Sequence, residues 1–159
     1  MSIIKVDAVV NESGGATATI NGYTPTESNM AGRNRIINGD VRIDQRNAGA
    51  AITFNDGVFV VDRFGSACSQ SSKATAQRST TAPTGFNNSV LITSSSAYSV
   101  LTGDFFNLFQ NIEGFNIADL GWGTATAQDI TLSFWVRSSL TGTFGGSISN
   151  ASLSRSYPF

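Results

Sequence analysis

The sequence predicts an all-β protein, an antiparallel β-sandwich of the jelly-roll kind that follows an extended N-terminal segment. Three observations favour this class. The chain is rich in Ser, Thr, Asn and Gly, which disfavour helices and favour strands, turns and caps. Hydrophobic residues make up 40% of it and include 11 Phe, enough apolar material for a core. Short β-forming runs alternate with turn residues along most of its length, as in sandwiches and barrels.

The chain is expected to have two parts, residues 1–32 and residues 33–159. The first part opens with SIIKVDAVV, a run of high β propensity, and continues through turns that contain Gly and Pro. A segment of about 30 residues cannot bury a core alone, so it must pack on the domain, on symmetry copies or on another protein. We expect it to attach by adding a strand to a partner sheet. The residues expected to make that contact are Ile3, Ile4, Val6, Val9 and Val10.

Turn signals divide the second part into elements. The Asp56-Gly57 pair predicts a hairpin between AITF and VFVV, and RIINGDVRI is expected to form short strands around Asn38-Gly39. The run NIADLGWG predicts a helical turn that glycines stop, the first of them Gly121.

The run DITLSFWVRSS shows the clearest strand alternation in the chain, and it places Phe134 and Val136 on the side predicted to face the core. The last run, SLSRSYPF, is apolar and strand-like. We therefore expect the sandwich to be incomplete, with the polypeptide continuing past Phe159 or with Phe159 inserted into a neighbour.

Residue chemistry argues against an enzyme, a metal site and a nucleic-acid interface. Ten Lys and Arg against 11 Asp and Glu leave a net charge of −1, without the positive excess that phosphate backbones require. The chain has no His, which removes Ser-His-Asp and Cys-His catalysis and His-ligated metals. The carboxylates Glu113 and Asp119 lie beside turns, where capping is their usual role. Cys68 is expected to be a buried spectator thiol. We predict no enzymatic activity, no cofactor and no membrane insertion.

The stretch NRIINGDVRIDQRNAG interleaves three arginines with two aspartates. This pattern predicts ion pairs within or between chains rather than a bare basic patch. The residues concerned are Arg35, Asp40, Arg42, Asp44 and Arg46.

Two tryptophans are a further functional signal. Trp122 lies between glycines, and Trp135 lies on the predicted strand. Either indole could stack on the apolar face of a sugar ring. The alternative is that both belong to the core or to a contact between subunits.

Several long motifs resemble a stretch that recurs in tail-fibre and tail-associated proteins of tailed bacteriophages. These motifs are NRIINGDVRIDQRNAGAAIT, VDRF, QNIEGFNIADLGWGTATAQDITLSFWVRSSLTGTFGGSI and the final RSYPF. The opening MSIIKVDAVVNESGGATATI is similar to the start of phage fibre proteins. The resemblance covers most of residues 3–10 and 33–159, and its distal part resembles a jelly roll of the carbohydrate-binding-module kind.

The resemblance implies a structural virion protein, the virion-proximal part of a homotrimeric tail fibre. It would be made in the host cytoplasm, join the tail or baseplate through residues 1–32, and support recognition of the host receptor. The Arg–Asp pairs would then fix the register of the three copies. Two alternatives remain, a module that binds host-surface glycan through Trp122 or Trp135 and a neck or head decoration fibre. A glycan hydrolase is a third hypothesis, for which the sequence contains no motif.

Overall fold

The structure is a computed structural model, and it describes residues 34–159. The predicted attachment segment and its residues Ile3, Ile4, Val6, Val9 and Val10 lie outside the described residues. That prediction therefore stays a prediction.

Residues 34–159 form short strands and one short helical region. The strands are β1 (Ile52–Thr53), β2 (Val58–Val61), β3 (Phe64–Cys68), β4 (Ala74–Ser79), β5 (Ser89–Ser94), β6 (Phe106–Phe109), β7 (Ser147–Ser149) and β8 (Ser156–Pro158). Helix α1 (Gly114–Ile117) is followed at once by a 3₁₀ turn (Ala118–Leu120). The predicted all-β class is confirmed.

The strands pair in antiparallel fashion throughout the described residues. One sheet has the order β1-β4-β5, a second has the order β2-β3-β6, and β7 pairs with β8. The longest ladder is that of β4 and β5, which runs from Ala74 opposite Ser94 to Ser79 opposite Ser89.

The core of the described residues receives side chains from both three-stranded sheets. Val60 and Val61 of β2 are fully buried, and Cys68 of β3 and Ala76 of β4 are buried beside them. Phe54 packs against this cluster from the chain between β1 and β2. The burial of Cys68 confirms its prediction as a buried thiol.

The hairpin predicted at Asp56-Gly57 is wrong, although the turn itself is present. Strand β1 before the turn pairs with β4, whereas β2 after it pairs with β3, so the turn carries the chain from one sheet to the other. The fully buried Ser66 holds this crossing, because its hydroxyl donates to the carbonyl of Asn55 at 2.7 Å and its oxygen also lies 3.1 Å from the carbonyl oxygen of Val58. An Asp-Gly pair specifies a turn but cannot specify which strands it joins.

The helical turn predicted at NIADLGWG is confirmed. The 3₁₀ turn stops at Gly121, which has a φ of 59°, and its backbone N–H donates to the carbonyl of Ala118 at 3.2 Å. A left-handed glycine is the common end of a helix, because it lacks the Cβ that makes this conformation costly.

Two predicted strands are absent from this part of the chain. The run around Asn38-Gly39 forms turns, and the run from residue 129 to residue 137 pairs with no strand of the described residues. Phe134 and Val136, predicted to face the core, are 63% and 68% exposed. Alternation supplies a side that can be buried, but burial also needs a second layer, which residues 34–159 do not provide here.

Candidate functional site

The segment from residue 34 to residue 50, hereafter the motif loop, carries most of the sequence motif and folds without a strand. Asn38 has a left-handed φ of 59° and closes one turn through its side chain. Its Nδ2 donates to the carbonyls of Ile43 and Asp62, each at 2.8 Å, and its Oδ1 accepts from the N–H of Ile43 at 2.9 Å. One carboxamide thus replaces the backbone partners that a strand would have supplied.

Asp44 organises the second turn of the motif loop. Its side chain is completely buried, its Oδ2 accepts from the N–H of Gly49 at 2.6 Å, and its Oδ1 accepts from the N–H of Asn47 at 3.3 Å. Nε of Arg78, on β4, lies 3.9 Å from Oδ2. A buried carboxylate is tolerated only when it is hydrogen-bonded and charge-paired, and Asp44 meets both conditions.

Asn47 attaches the motif loop to the edge of β2. Its Nδ2 donates to the carbonyl of Phe59 at 2.9 Å and to that of Val60 at 2.8 Å. Among the described strands β2 pairs only with β3 and so lies at the edge of its sheet, and these bonds engage two of its carbonyls. The motif loop therefore covers a sheet edge, which is one way in which proteins avoid unwanted strand pairing.

The residues predicted to form ion pairs do so within the chain. Arg42 lies 2.6 Å from Asp40, Arg46 lies 3.7 Å from Asp62, and Asp44 pairs with Arg78 as described. The first two pairs are solvent-exposed and contribute little to stability. Pairing between subunits, as expected for a trimer, stays a prediction.

Arg35 makes the closest of these ion pairs, with Asp119 in the 3₁₀ turn. Its two terminal nitrogens bond the two carboxylate oxygens at 2.7 and 2.5 Å, and Nη1 also donates to the carbonyl of Asn116. The hydrogen bond to Asp119 raises the pKa of Arg35. A bidentate pair fixes orientation as well as distance, so the start of the described chain is fastened to the helical region. The sequence predicted a capping role for Asp119 and did not indicate this pairing with Arg35.

A half-open groove lies beside the turn between β2 and β3. Arg46 and Phe59 form one wall, where the guanidinium carbon lies 4.6 Å from the centre of the ring. Asp62 and Arg63 of the turn line the groove, and Phe109 at the end of β6 lines it from the neighbouring strand. Phe109 reaches this position because residue 65 is glycine, where a Cβ would lie 2.8 Å from the ring.

The far side of the groove is held by Arg63, which has a left-handed φ of 77°. Its Nη2 lies 2.6 Å from Oε1 of Glu113 and donates to the carbonyl of Asn111 at 3.0 Å. The pKa of Glu113 is lowered, first by a hydrogen bond from its own backbone N–H and then by the bond from Arg63. Glu113 occupies the N-cap position of α1 but makes no side-chain cap, so the predicted capping role is wrong.

The two tryptophans predicted to stack on sugars lie outside this groove. Trp122 is 43% exposed, and its indole N–H donates to the carbonyl of Gln128 at 3.0 Å. Trp135 is 74% exposed. Neither belongs to the core of the described residues, and their stacking on a glycan stays a prediction.

A separate polar cluster fastens the chain between β5 and β6. Asp104 accepts from the hydroxyls of Ser69 and Tyr98, each at 2.7 Å, and from the N–H of Leu101 at 2.8 Å. These bonds, with the backbone N–H of Leu101 contributing most, lower the pKa of Asp104 to about 2. The cluster is structural, since all these bonds hold one loop in place.

Within residues 34–159 no group of three or more Cys, Asp or Glu side chains is arranged to hold a metal ion. No helix in that range is long and apolar enough to cross a membrane. Comparison of the chain with protein-family models, with curated proteins and with solved structures gives no match.

Sequence reasoning identified the motif loop but missed the groove. The groove joins residues that are distant in the sequence, from Arg46 to Glu113. Its only signal was VDRF, the short motif that contains the turn residues Asp62 and Arg63. Their role becomes visible only when β6 and α1 are placed beside them.

Proposed function

We propose that the chain is a structural virion protein, the virion-proximal part of a homotrimeric phage tail fibre. Residues 1–32 would attach it to the tail or baseplate. The finer fold in this proposal is a jelly-roll sandwich, to which the two three-stranded sheets would contribute. The sequence motifs that resemble those of tail-fibre proteins suggest the class, and the large apolar side chains exposed within residues 34–159 support assembly.

That exposed surface is the observation that carries the proposal. Phe115 is 96% exposed, Trp135 74%, Leu140 74% and Tyr157 73%. These four belong to a larger number of large apolar side chains that are exposed within residues 34–159, and exposed apolar surface in excess of what a monomer usually shows favours contacts with other chains. A second copy is the partner we propose, because a fibre buries the same surface of each subunit around its axis.

The polar interior of the motif loop supports a structural role rather than a catalytic one. Asn38, Asp44 and Asn47 direct their side chains to backbone groups of the same chain. Their polar atoms are engaged in holding the fold, so the motif that carries the resemblance acts as a scaffold.

Sedimentation equilibrium of the full chain tests this proposal. One chain has a mass of 16.7 kDa, so a trimer has a mass of about 50 kDa. We expect the trimer mass at micromolar concentration. A single species of monomer mass across the concentration range would contradict the proposal.

Glycan binding through the tryptophans is the second candidate function, and the high exposure of Trp135 favours it. In that case Trp135→Ala should abolish binding on a glycan array. Binding that persists in Trp135→Ala and in Trp122→Ala would contradict this candidate.

A further inference from the structure

We propose that residues 129–137, hereafter the self-pairing run, form an antiparallel pair with the same residues of a second copy of the chain. The register of this pair places Asp129 of each copy opposite Arg137 of the other, and Ser133 opposite itself. The contact goes beyond the proposed function, because it is two-fold whereas the axis of a homotrimeric fibre is three-fold. It involves no other part of the chain, so it is tested independently of the trimer.

The backbone of the self-pairing run is available for pairing. All nine residues are exposed, and their backbone groups make no hydrogen bond with any of residues 34–159. The run DITLSFWVR contains neither Pro nor Gly and is rich in β-branched and aromatic residues, which favour strands. A strand-forming segment with unpaired backbone groups is one that adds readily to another chain.

The two charges of the self-pairing run have opposite signs and lie at its two ends. Neither Asp129 nor Arg137 forms an ion pair with any of residues 34–159. In an antiparallel pair centred on Ser133, each Asp129 lies opposite the Arg137 of the other copy, so both ends carry opposite charges. A shift by two residues loses both of these pairs, and a parallel pair in register places like charges together, which is destabilising. Charge complementarity therefore selects a second copy, its direction and its register.

The apolar residues of the self-pairing run match in the same register. Ile130 lies opposite Val136, and Leu132 lies opposite Phe134, all on one side of the pair. These side chains are 40 to 68% exposed in the single chain. The ring of Phe134 also lies 6.2 Å from that of Phe159, centre to centre, which extends the apolar side. Pairing joins the apolar sides of two copies into one.

The contact between two self-pairing runs is small. Stable interfaces bury roughly 1,200 to 2,000 Å², and a two-stranded ribbon alone is only marginally stable in water. We therefore expect weak pairing, at concentrations above the micromolar range in which the trimer is expected. Chains that are held side by side would pair most readily, because their local concentration is high.

Disulfide trapping of Ser133→Cys in the full chain tests the register, because residue 133 is the residue that lies opposite itself. The single native thiol, Cys68, is buried. In a glutathione redox buffer at submillimolar chain concentration, we expect Ser133→Cys to form a disulfide between two chains. Thr131→Cys is the matched control. In this register the two copies of residue 131 are offset by about 14 Å along the strands, which is too far for a disulfide.

Charge reversal in the Ser133→Cys background tests the pairing of the ends. Asp129→Lys and Arg137→Glu each place like charges opposite one another when identical copies pair. We expect each to lower the disulfide yield about fivefold or more. An equimolar mixture of the two variants restores opposite charges at both ends. The mixed disulfide, which is recognised by its mass, should therefore form as readily as the disulfide of Ser133→Cys alone. All of the substituted side chains are exposed, so the fold of the core is not affected.

Three results would overturn the proposal. Equal disulfide yields for Ser133→Cys and Thr131→Cys would show random collision rather than one register. No disulfide in Ser133→Cys would show that another occupant covers the self-pairing run, such as the edge of β5 in a neighbouring copy or a different protein. A mixture that gives no more mixed disulfide than each variant gives alone would show that the charges do not set the register. None of these results bears on the trimer, which sedimentation measures.

Discussion

Replacing Asn47 by alanine tests whether the motif loop holds the edge of β2. The substitution removes two hydrogen bonds, to the carbonyls of Phe59 at 2.9 Å and Val60 at 2.8 Å. Each such bond contributes about 1 kcal/mol net, and the carbonyl of Val60, which belongs to a fully buried residue, adds to the loss when its partner is removed. We expect the free energy of unfolding to fall by about 2 to 3 kcal/mol.

Urea denaturation at fixed protein concentration measures this change, and a constant concentration keeps any contribution from assembly the same. The midpoint should fall while the slope m stays unchanged, since the surface exposed on unfolding is the same. Asn87→Ala is the matched control, because Asn87 is exposed and its side chain makes no hydrogen bond within the described residues. Equal midpoints for the two variants would refute the role given to the motif loop.

Three further predictions concern the core, the exposed run and acid stability. Val60→Ala removes a fully buried side chain and should lower the free energy of unfolding by about 2 to 3 kcal/mol, measured by urea denaturation; no change would place Val60 outside the core. Phe134→Ala should change that free energy in the dissociated chain by less than about 0.5 kcal/mol, yet reduce the sedimenting mass; a large loss of stability without assembly would contradict its exposure. The folded-state pKa of Asp104, about 2, lies below the usual 3.8, so its stabilising contribution is complete above pH 3.8 and is lost as the pH falls through 2. Carboxyl NMR titration should show that low midpoint and a rise in Tyr98→Phe, and a midpoint near the usual value would contradict the cluster.

The features predicted correctly from the sequence are those set by local chemistry. Composition and turn residues specify an all-β chain, and a glycine after a short helical run stops it, as Gly121 does. Such features depend on a few neighbouring residues, so a single sequence contains the information.

The features that were missed depend on partners distant in the sequence. The turn at Asp56-Gly57 was predicted from the sequence. The two strands beside it belong to different sheets, because β1 pairs with β4 and β2 pairs with β3. The motif loop was expected to contain strands, yet the carboxamides of Asn38 and Asn47 satisfy backbone groups that a ladder would have used. Short polar side chains compete with regular structure in this way, and hydrophobic alternation does not reveal it.

The run from residue 129 to residue 137 differs from its prediction for another reason. Its alternation is strong, and Phe134 with Val136 still forms one apolar side, but that side is exposed. A strand forms only where it can pair with the edge of another strand, and within residues 34–159 no strand pairs with residues 129–137. The side that carries Phe134 and Val136 is therefore one that a second chain could cover in an assembly.

Immunogold electron microscopy of phage particles whose genome encodes this chain tests the proposed structural role in the virion most directly. Antibodies raised against the chain should label the proximal end of the tail fibres, and mass spectrometry of purified particles should detect its peptides. Absence of both the label and the peptides from purified, infectious particles would contradict a structural role in the virion.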